Sequence, residues 1–400
     1  MAEQYIYIIV GAGLAGSSAI EGIRELDKKG PILLLGSEKH LPYDRPPLTK
    51  KLWFGKKKVE DIFLHNRAFY DNNGVTLLLG RRVVELDAKN KTVHDSTGEI
   101  HQFGKLLLAT GGVPQTLRVP GGDIGGICYY RYLDDYLGTR ESTGVGKSAV
   151  VVGGGFIGSE MAAALCINKV NVALINHSGY LCKRVFPESL GLAMESLFQS
   201  RGIRMLKGQG PASFERKGSR FVVRIAGGEQ IEVDMVIVGV GIRPADDLAK
   251  RAGLNIDNGV VVNEYLQTSN PDIYAAGDIA RFPYRALGPA MRLEHWDNAL
   301  NQGKHAARNM AGAHEAFTYM PYFFSDLFEF GYEAVGEVDS RLETFADWQK
   351  ENEKGVIYYM KEGKVRGAMM CNVWDKVQAA RELIQRGKTM PVEELRGIIT

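Results

Sequence analysis

Gly11, Gly13 and Gly16 are spaced as G-x-G-x-x-G, and the same spacing returns 142 residues later as Gly153, Gly155 and Gly158. Each triplet follows a short apolar run, Ile6–Val10 or Ala149–Val152, and each leads into a segment able to form a helix. In that setting the first glycine permits a tight strand-to-helix turn and the second lets backbone approach a pyrophosphate. The third lets helix and strand pack closely. The helix N-terminus, with free N–H groups and about half a positive charge, then faces the phosphates. Leu14 and Ala15 complete the first loop, and Phe156 and Ile157 the second. Two copies predict two dinucleotides held at once. Glu38 lies 22 residues past Gly16, where a carboxylate accepts hydrogen bonds from a ribose 2′-hydroxyl.

Sulfur chemistry is disfavoured. The four cysteines, Cys128, Cys166, Cys182 and Cys371, show no C-x-x-C or C-x4-C spacing. A flavin enzyme that reduces disulfides needs thiols beside the flavin. The loop expected to carry them reads Leu41-Pro42-Tyr43-Asp44-Arg45-Pro46-Pro47-Leu48-Thr49-Lys50, with no sulfur. The cysteines read as small buried apolar residues, and no metal site is expected.

These residues need a scaffold, and the 400-residue length allows two or three domains. A 45% hydrophobic and 24% charged composition is that of a globular protein, and a net charge of +2 argues against nucleic-acid binding driven by bulk charge. No signal-like or membrane-spanning apolar stretch is visible, so a cytoplasmic protein is expected. The first βαβ unit runs from Tyr5 through a helix ending near Lys29 to a strand at Ile32–Leu35. Lys105–Thr110 reads as a buried strand ending in Ala109-Thr110-Gly111, whose glycine lets backbone pass close to a cofactor. A second unit starts at Ala149, and Gly241 marks the return out of it. Gly277-Asp278 ends a strand beyond it, which places the second nucleotide domain inside the first. The expected division is 1–113 with 243–316, an inserted 114–242, and a C-terminal domain over 317–400.

Taken in chain order, several strings resemble one family: Gly11-x-Gly13-x-x-Gly16, Pro42-Tyr43-Asp44-Arg45-Pro46-Pro47-Leu48-Thr49-Lys50, Ala109-Thr110-Gly111, Gly153 to Glu160, Tyr274 to Asp278 and Glu294-His295-Trp296. They are similar to NAD(P)H-dependent ferredoxin and rubredoxin reductases and their relative, apoptosis-inducing factor. Phe324-Ser325-Asp326-Leu327 and Leu52-Trp53 look closest to the latter branch. The resemblance implies an α/β, glutathione-reductase-like fold with an FAD domain, an inserted NAD(P) domain and a C-terminal α+β domain. It implies FAD on the first loop, with Val83, Arg45 and Lys50 among its contacts, and NADH or NADPH on the second. Lys50 would lie near flavin N5 and pair with Glu160, which faces the nicotinamide. Asp278 would hold the ribityl chain, and the helix opened by Glu294-His295-Trp296 would aim its N-terminus at the flavin. His295 is expected to pack or hydrogen-bond rather than act as an acid or base.

Two positions depart from the pattern. Phe324 stands where the family often has tryptophan, and Asn176-His177 where an NAD-selective site usually offers a carboxylate. Lys183 and Arg184 are candidates to serve a 2′-phosphate, so the choice of coenzyme stays open. The implied activity passes a hydride from NAD(P)H to FAD and then electrons to an iron–sulfur carrier or quinone. The alternatives are monodehydroascorbate reduction and slow redox sensing with NADH-dependent oligomerisation. The basic run Lys50 to Lys58 suits an acidic carrier, or is a solvated face, and monomer and homodimer are both open.

Overall fold

Runs such as Ile32-Leu33-Leu34-Leu35 carry apolar residues on both faces, the pattern of a parallel strand covered by helices on either side. The computed structural model describes residues 3–285, 287–288 and 290–399 and contains two such sheets. Chain contacts define two units. Unit 1 is Met1–Asp44, Val59–Val113 and Arg243–Pro321; unit 2 is Arg45–Lys58, Pro114–Ile242 and Tyr322–Thr400.

In unit 1 a seven-stranded sheet runs Val75–Leu79, Ile32–Gly36, Glu3–Val10, Ile100–Leu108, with Thr92–Asp95, Val83–Asp87 and Ile273–Ala275 beyond. Its first four strands are parallel, and Ile273–Ala275 joins Ile100–Leu108 in the same sense. The helix Leu14–Leu26 leaves Glu3–Val10 and packs on the helix Trp296–Met310. That crossing is close because glycines line it. A Cβ on Gly22 would lie 2.1 Å from the Lys304 carbonyl oxygen, and one on Gly303 2.1 Å from that of Ala15.

Unit 2 repeats the design. Five parallel strands run Arg204–Lys207, Asn171–Asn176, Ser148–Val152, Met235–Val238, Ile127–Tyr129. Phe214, Phe221, Val223 and Ile225, from an antiparallel meander over Pro211–Val233, pack against Val150, Val152 and Val236 of this sheet. The C-terminal part is a five-stranded antiparallel sheet in the order Tyr322–Leu327, Phe330–Gly336, Lys364–Cys371, Lys354–Lys361, Glu343–Lys350. The helix Val377–Arg386 covers it, burying Ala380, Leu383 and Ile384.

Two segments differ from the sequence division, and the first is Tyr322–Thr400, expected as a domain of its own over 317–400, which falls in one unit with Pro114–Ile242. The second, Arg45–Lys58, placed by sequence inside 1–113, packs with unit 2. The reason is local chemistry. Trp53 Nε1 donates to the Leu48 carbonyl at 2.7 Å, Tyr130 Oη donates to the same oxygen at 2.6 Å, and Asn168 Nδ2 donates to the Trp53 carbonyl at 3.0 Å. Trp53 also packs edge-on against Tyr136.

Candidate functional site

Both glycine loops lie between a parallel strand and the helix that follows it, at a point where the neighbouring strands lead away to opposite sides. Their geometries match almost atom for atom. Gly11 has φ +117° and Gly153 φ +119°; a Cβ would lie 2.2 Å from the Ala109 oxygen in the first and 2.3 Å from the Gly239 oxygen in the second. At Gly16 and Gly158 a Cβ would meet the carbonyl of the first glycine at 1.9 Å and 1.8 Å. The middle residues, Gly13 and Gly155, have nothing within 4 Å of that position. The outer glycines therefore let the loop close, while the middle one leaves open space at a helix N-terminus. A pyrophosphate fits that cradle, and the donors present are the backbone N–H groups of Leu14 and Ala15 or of Phe156 and Ile157.

Around the first cradle, Glu38 sits two residues past the strand Ile32–Gly36, and Tyr43 Oη donates to its Oε2 at 2.5 Å. Ala109 lies against Gly11, Thr110 Oγ1 bonds the Ala245 carbonyl at 2.9 Å, and Gly111 takes φ +65°. Gly277 packs on Ala15, and its N–H donates to Gln302 Oε1 at 2.9 Å. Arg292 bonds the Asp278 carbonyl at 2.9 Å and pairs with Glu294 at 2.8 Å. Val83 opens an antiparallel strand opposite Asp95. The helix begins at Trp296 with His295 extended as its N-cap, so Glu294 lies outside it and is exposed, a correction to the sequence reading. Trp296 Nε1 donates to Asp44 Oδ1 at 2.5 Å, which fixes the indole. Part of the His295 surface is open, yet the ring is hemmed in by protein. That desolvation lowers its pKa to about 4 against the opposing pull of Asp278, and the imidazole is neutral at pH 7.

Unit 2 holds the second cradle and a buried ion pair. Lys50 Nζ lies 2.7 Å from Glu160 Oε1, with side chains only 7% and 4% exposed. Lys50 ends the short 3-10 turn Pro46–Thr49, and Glu160 lies in the second turn of the helix Phe156–Ile167. Two hydroxyls complete the carboxylate's shell. Ser325 Oγ donates to Oε1 and Thr49 Oγ1 to Oε2, each at 2.5 Å. Lys50 Nζ also stands 5.6 Å from the centre of the Phe324 ring, within cation–π range. A buried charge pair persists only when remaining lone pairs are satisfied, and three donors on Glu160 meet that condition. With its oxygens committed to Lys50, Ser325 and Thr49, Glu160 is built to hold a cation rather than to shuttle protons.

Arg45, Asn176 and Gly241 are also in unit 2. Arg45 donates to the Arg131 carbonyl at 2.9 Å and lies 5.4 Å from the Tyr132 ring centre. Asn176 is fully buried, and Gly241, φ +102°, accepts from the Gln115 N–H at 2.9 Å. Phe156 and Ile157 stay more than a third exposed at the helix start. All four cysteines are free. Burial raises the thiols of Cys128 and Cys182 to about 12, and pushes Cys371 up further and Cys166 upward as well. They stay protonated at neutral pH, without the thiolate that disulfide exchange requires.

Sequence reasoning missed Thr49 and Ser325 as ligands of Glu160, Tyr43 as partner of Glu38, and Asp44 as partner of Trp296. Each adjoins or belongs to a quoted motif, and that adjacency was the available signal.

Comparison with known proteins agrees with this geometry. The family model described as pyridine nucleotide-disulphide oxidoreductase matches residues 5–303, and that of the C-terminal part of apoptosis-inducing factor, mitochondrion-associated, matches 306–354 and 346–386. Peroxisomal monodehydroascorbate reductase 4 of Arabidopsis thaliana is 31% identical, over 92% of this chain and 80% of its own length. The ferredoxin–NAD(+) reductase component of the Burkholderia cepacia anthranilate 1,2-dioxygenase system is 31% identical, over 97% of this chain and 96% of its own. A chain of the crystallised covalent putidaredoxin reductase–putidaredoxin complex superposes with a TM-score of 0.92 at 29% identity, covering 99% of this chain and 96% of that one. With two pyrophosphate cradles and a full-length match, the chain belongs to the pyridine nucleotide-disulphide oxidoreductase family and is an FAD-dependent NAD(P)H oxidoreductase.

Proposed function

We propose that the protein is a ferredoxin reductase, with FAD on the first cradle and the nicotinamide coenzyme on the second. The observation that carries this reading is the absence of a reactive thiol beside a buried Lys50–Glu160 pair, in a chain similar along its whole length to ferredoxin reductases. FAD, when bound, takes two electrons together from NAD(P)H and releases them singly. The resemblance assigns Lys50 to the flavin, where a fixed positive charge favours negative charge on the reduced cofactor. Glu160 holds the ammonium in place, and Thr49 and Ser325 lock the carboxylate. Phe324 shields the ammonium from water without adding a polar hydrogen.

The acceptor is a small acidic iron–sulfur protein. Lys51, Lys56 and Lys58 are exposed on the segment anchored by Trp53, Arg140 stacks 5.4 Å from the Trp53 ring centre, and Lys169 follows Asn168, which bonds the Trp53 carbonyl. This basic surface speeds encounter with an acidic partner in a salt-dependent way. Among the described residues no helix is long and apolar enough to cross a membrane, and a cytoplasmic location is part of the proposal.

Anaerobic stopped-flow mixing with NADH or NADPH is expected to bleach the flavin, and a [2Fe–2S] ferredoxin to restore its colour in a reaction slowed by salt. Faster reoxidation by monodehydroascorbate radical than by any ferredoxin would replace this reading. A second reading, redox sensing, is favoured by the match of residues 306–386 to the apoptosis-inducing-factor C-terminal model. A long-lived reduced, nucleotide-bound state with a change in oligomer size would support it.

A further inference from the structure

The two cradles share a backbone, so the residues closing each second strand can be compared directly. Past the first, Glu38 offers a carboxylate, which accepts ribose hydroxyls and repels a phosphate monoester. The second strand ends on Asn176, followed by His177 and Ser178, and Ser178 holds the position of Glu38, each two residues past its strand. Asn176 is 0% exposed, and its side chain lies directly under the glycine loop: a Cβ on Gly154 would fall 2.3 Å from Asn176 Oδ1. Oδ1 accepts the Ser178 N–H at 3.0 Å, while Nδ2 has no hydrogen-bond partner. Where Glu38 presents a carboxylate, the second cradle has the neutral Ser178, and the spare polar atom at the strand end, Asn176 Nδ2, is a donor.

The exposed ionisable groups on the loop that follows are basic, and the nearby carboxylate Asp339, next to the Ser340 that bonds the Lys183 carbonyl, is paired with Arg341. After Gly179 the loop folds back so that the Cys182 N–H bonds the Gly154 carbonyl at 2.7 Å. Lys183, the next residue, is thereby held beside the cradle, exposed, with its ammonium 5.4 Å from the Tyr180 ring centre. His177 is also exposed. Lys207 stands opposite Asn176 in the neighbouring strand. It pairs at 2.6 Å with Glu195, a carboxylate only 2% exposed, and so cancels it.

We infer that the second cradle takes NADPH in preference to NADH, with the adenosine 2′-phosphate held by Lys183 and His177 and unopposed at Asn176. This rests on the assignment of that cradle to the nicotinamide coenzyme. A phosphate dianion gains charge-assisted hydrogen bonds from these groups, and a bare 2′-hydroxyl finds no carboxylate to accept its proton.

The test uses the FAD-loaded protein and two adenosine fragments, 2′,5′-ADP and 5′-AMP, titrated calorimetrically, so that binding is read without turnover. The expected result is 2′,5′-ADP binding about tenfold more tightly at low ionic strength, with the gap narrowing as salt rises. Lys183→Glu is expected to close the gap, and Ser178→Glu, which restores a carboxylate at an exposed position, to invert it. Equal affinities, tighter binding of 5′-AMP, or a gap unmoved by both substitutions would overturn the inference. If 5′-AMP binds and NADH bleaches the flavin while the 2′-phosphate adds nothing, coenzyme preference alone fails. If neither fragment binds and neither coenzyme bleaches the flavin, the assignment of the cradle fails with it.

Discussion

Replacing Lys50 by Met removes the ammonium from the Lys50–Glu160 pair while keeping most of the side-chain volume. The pair is almost fully buried, with its charged atoms 2.7 Å apart, so Glu160 is left with two neutral donors, Thr49 and Ser325. Breaking a buried pair from one side costs about 3–5 kcal/mol, and the surviving hydroxyl contacts favour the lower end. At about 2–4 °C per kcal/mol for a unit of this size, Tm is expected to fall by roughly 6–12 °C. Glu160→Gln is expected to do similar damage by stranding the ammonium. The double variant Lys50→Met with Glu160→Gln leaves no unpaired charge, so about half or more of the lost stability returns. Reactivity does not return with it. On the role proposed for Lys50, losing a preorganised charge is worth about 10²–10³ in rate, so the double variant is expected to reduce FAD slowly although it is stable. Scanning calorimetry and anaerobic stopped-flow reduction on the FAD-loaded protein read the two effects separately. A double variant that reduces FAD at the wild-type rate would show that the pair only braces the fold. A single Lys50→Met variant with unchanged Tm would refute the energetic reasoning itself.

Three further predictions use different parts of the molecule. Gly13 has open space around its Cβ position whereas Gly16 does not, so Gly13→Val is expected to fold but purify without flavin, while Gly16→Val loses thermal stability; flavin content and Tm distinguish them. His295 has a folded pKa of about 4, below its ordinary 6.5, so the unfolded chain takes up the proton first as pH falls. Its contribution is complete above pH 6.5 and is lost between 6.5 and 4, amounting to about 3 kcal/mol. His295→Asn is expected to flatten the denaturant midpoint against pH over that window, and a profile as steep as wild type would contradict the assignment. Because burial keeps the cysteines protonated, single alanine variants at Cys128, Cys166, Cys182 and Cys371 are expected to retain wild-type flavin reduction; any folded variant that loses it would bring sulfur back into the chemistry.

What could be read from the linear chain was chemistry set by near neighbours. The bend at Gly11 and Gly153, the open middle glycine and the following helix start all lie within a few residues of one another, because backbone sterics act locally. The same holds for the sulfur-free stretch from Leu41 to Lys50. Helix limits were less legible. His295 is extended and Arg292 holds Glu294, so the helix starts at Trp296 rather than at Glu294.

Convergence of distant side chains belonged to the tertiary structure. Thr49 reaches Glu160 across 111 residues and Ser325 across 165, and neither distance leaves a trace in local spacing. The packing of Arg45–Lys58 with unit 2 likewise depended on Tyr130, Tyr136 and Asn168, which meet Trp53 only once the parallel sheet and its helices are formed. Motif spacing predicted two bound dinucleotides because a pyrophosphate is held by a few consecutive N–H groups. The buried cation was positioned by folding, because one turn carrying Thr49 and Lys50, a helix carrying Glu160 and a strand carrying Ser325 must meet around one desolvated carboxylate.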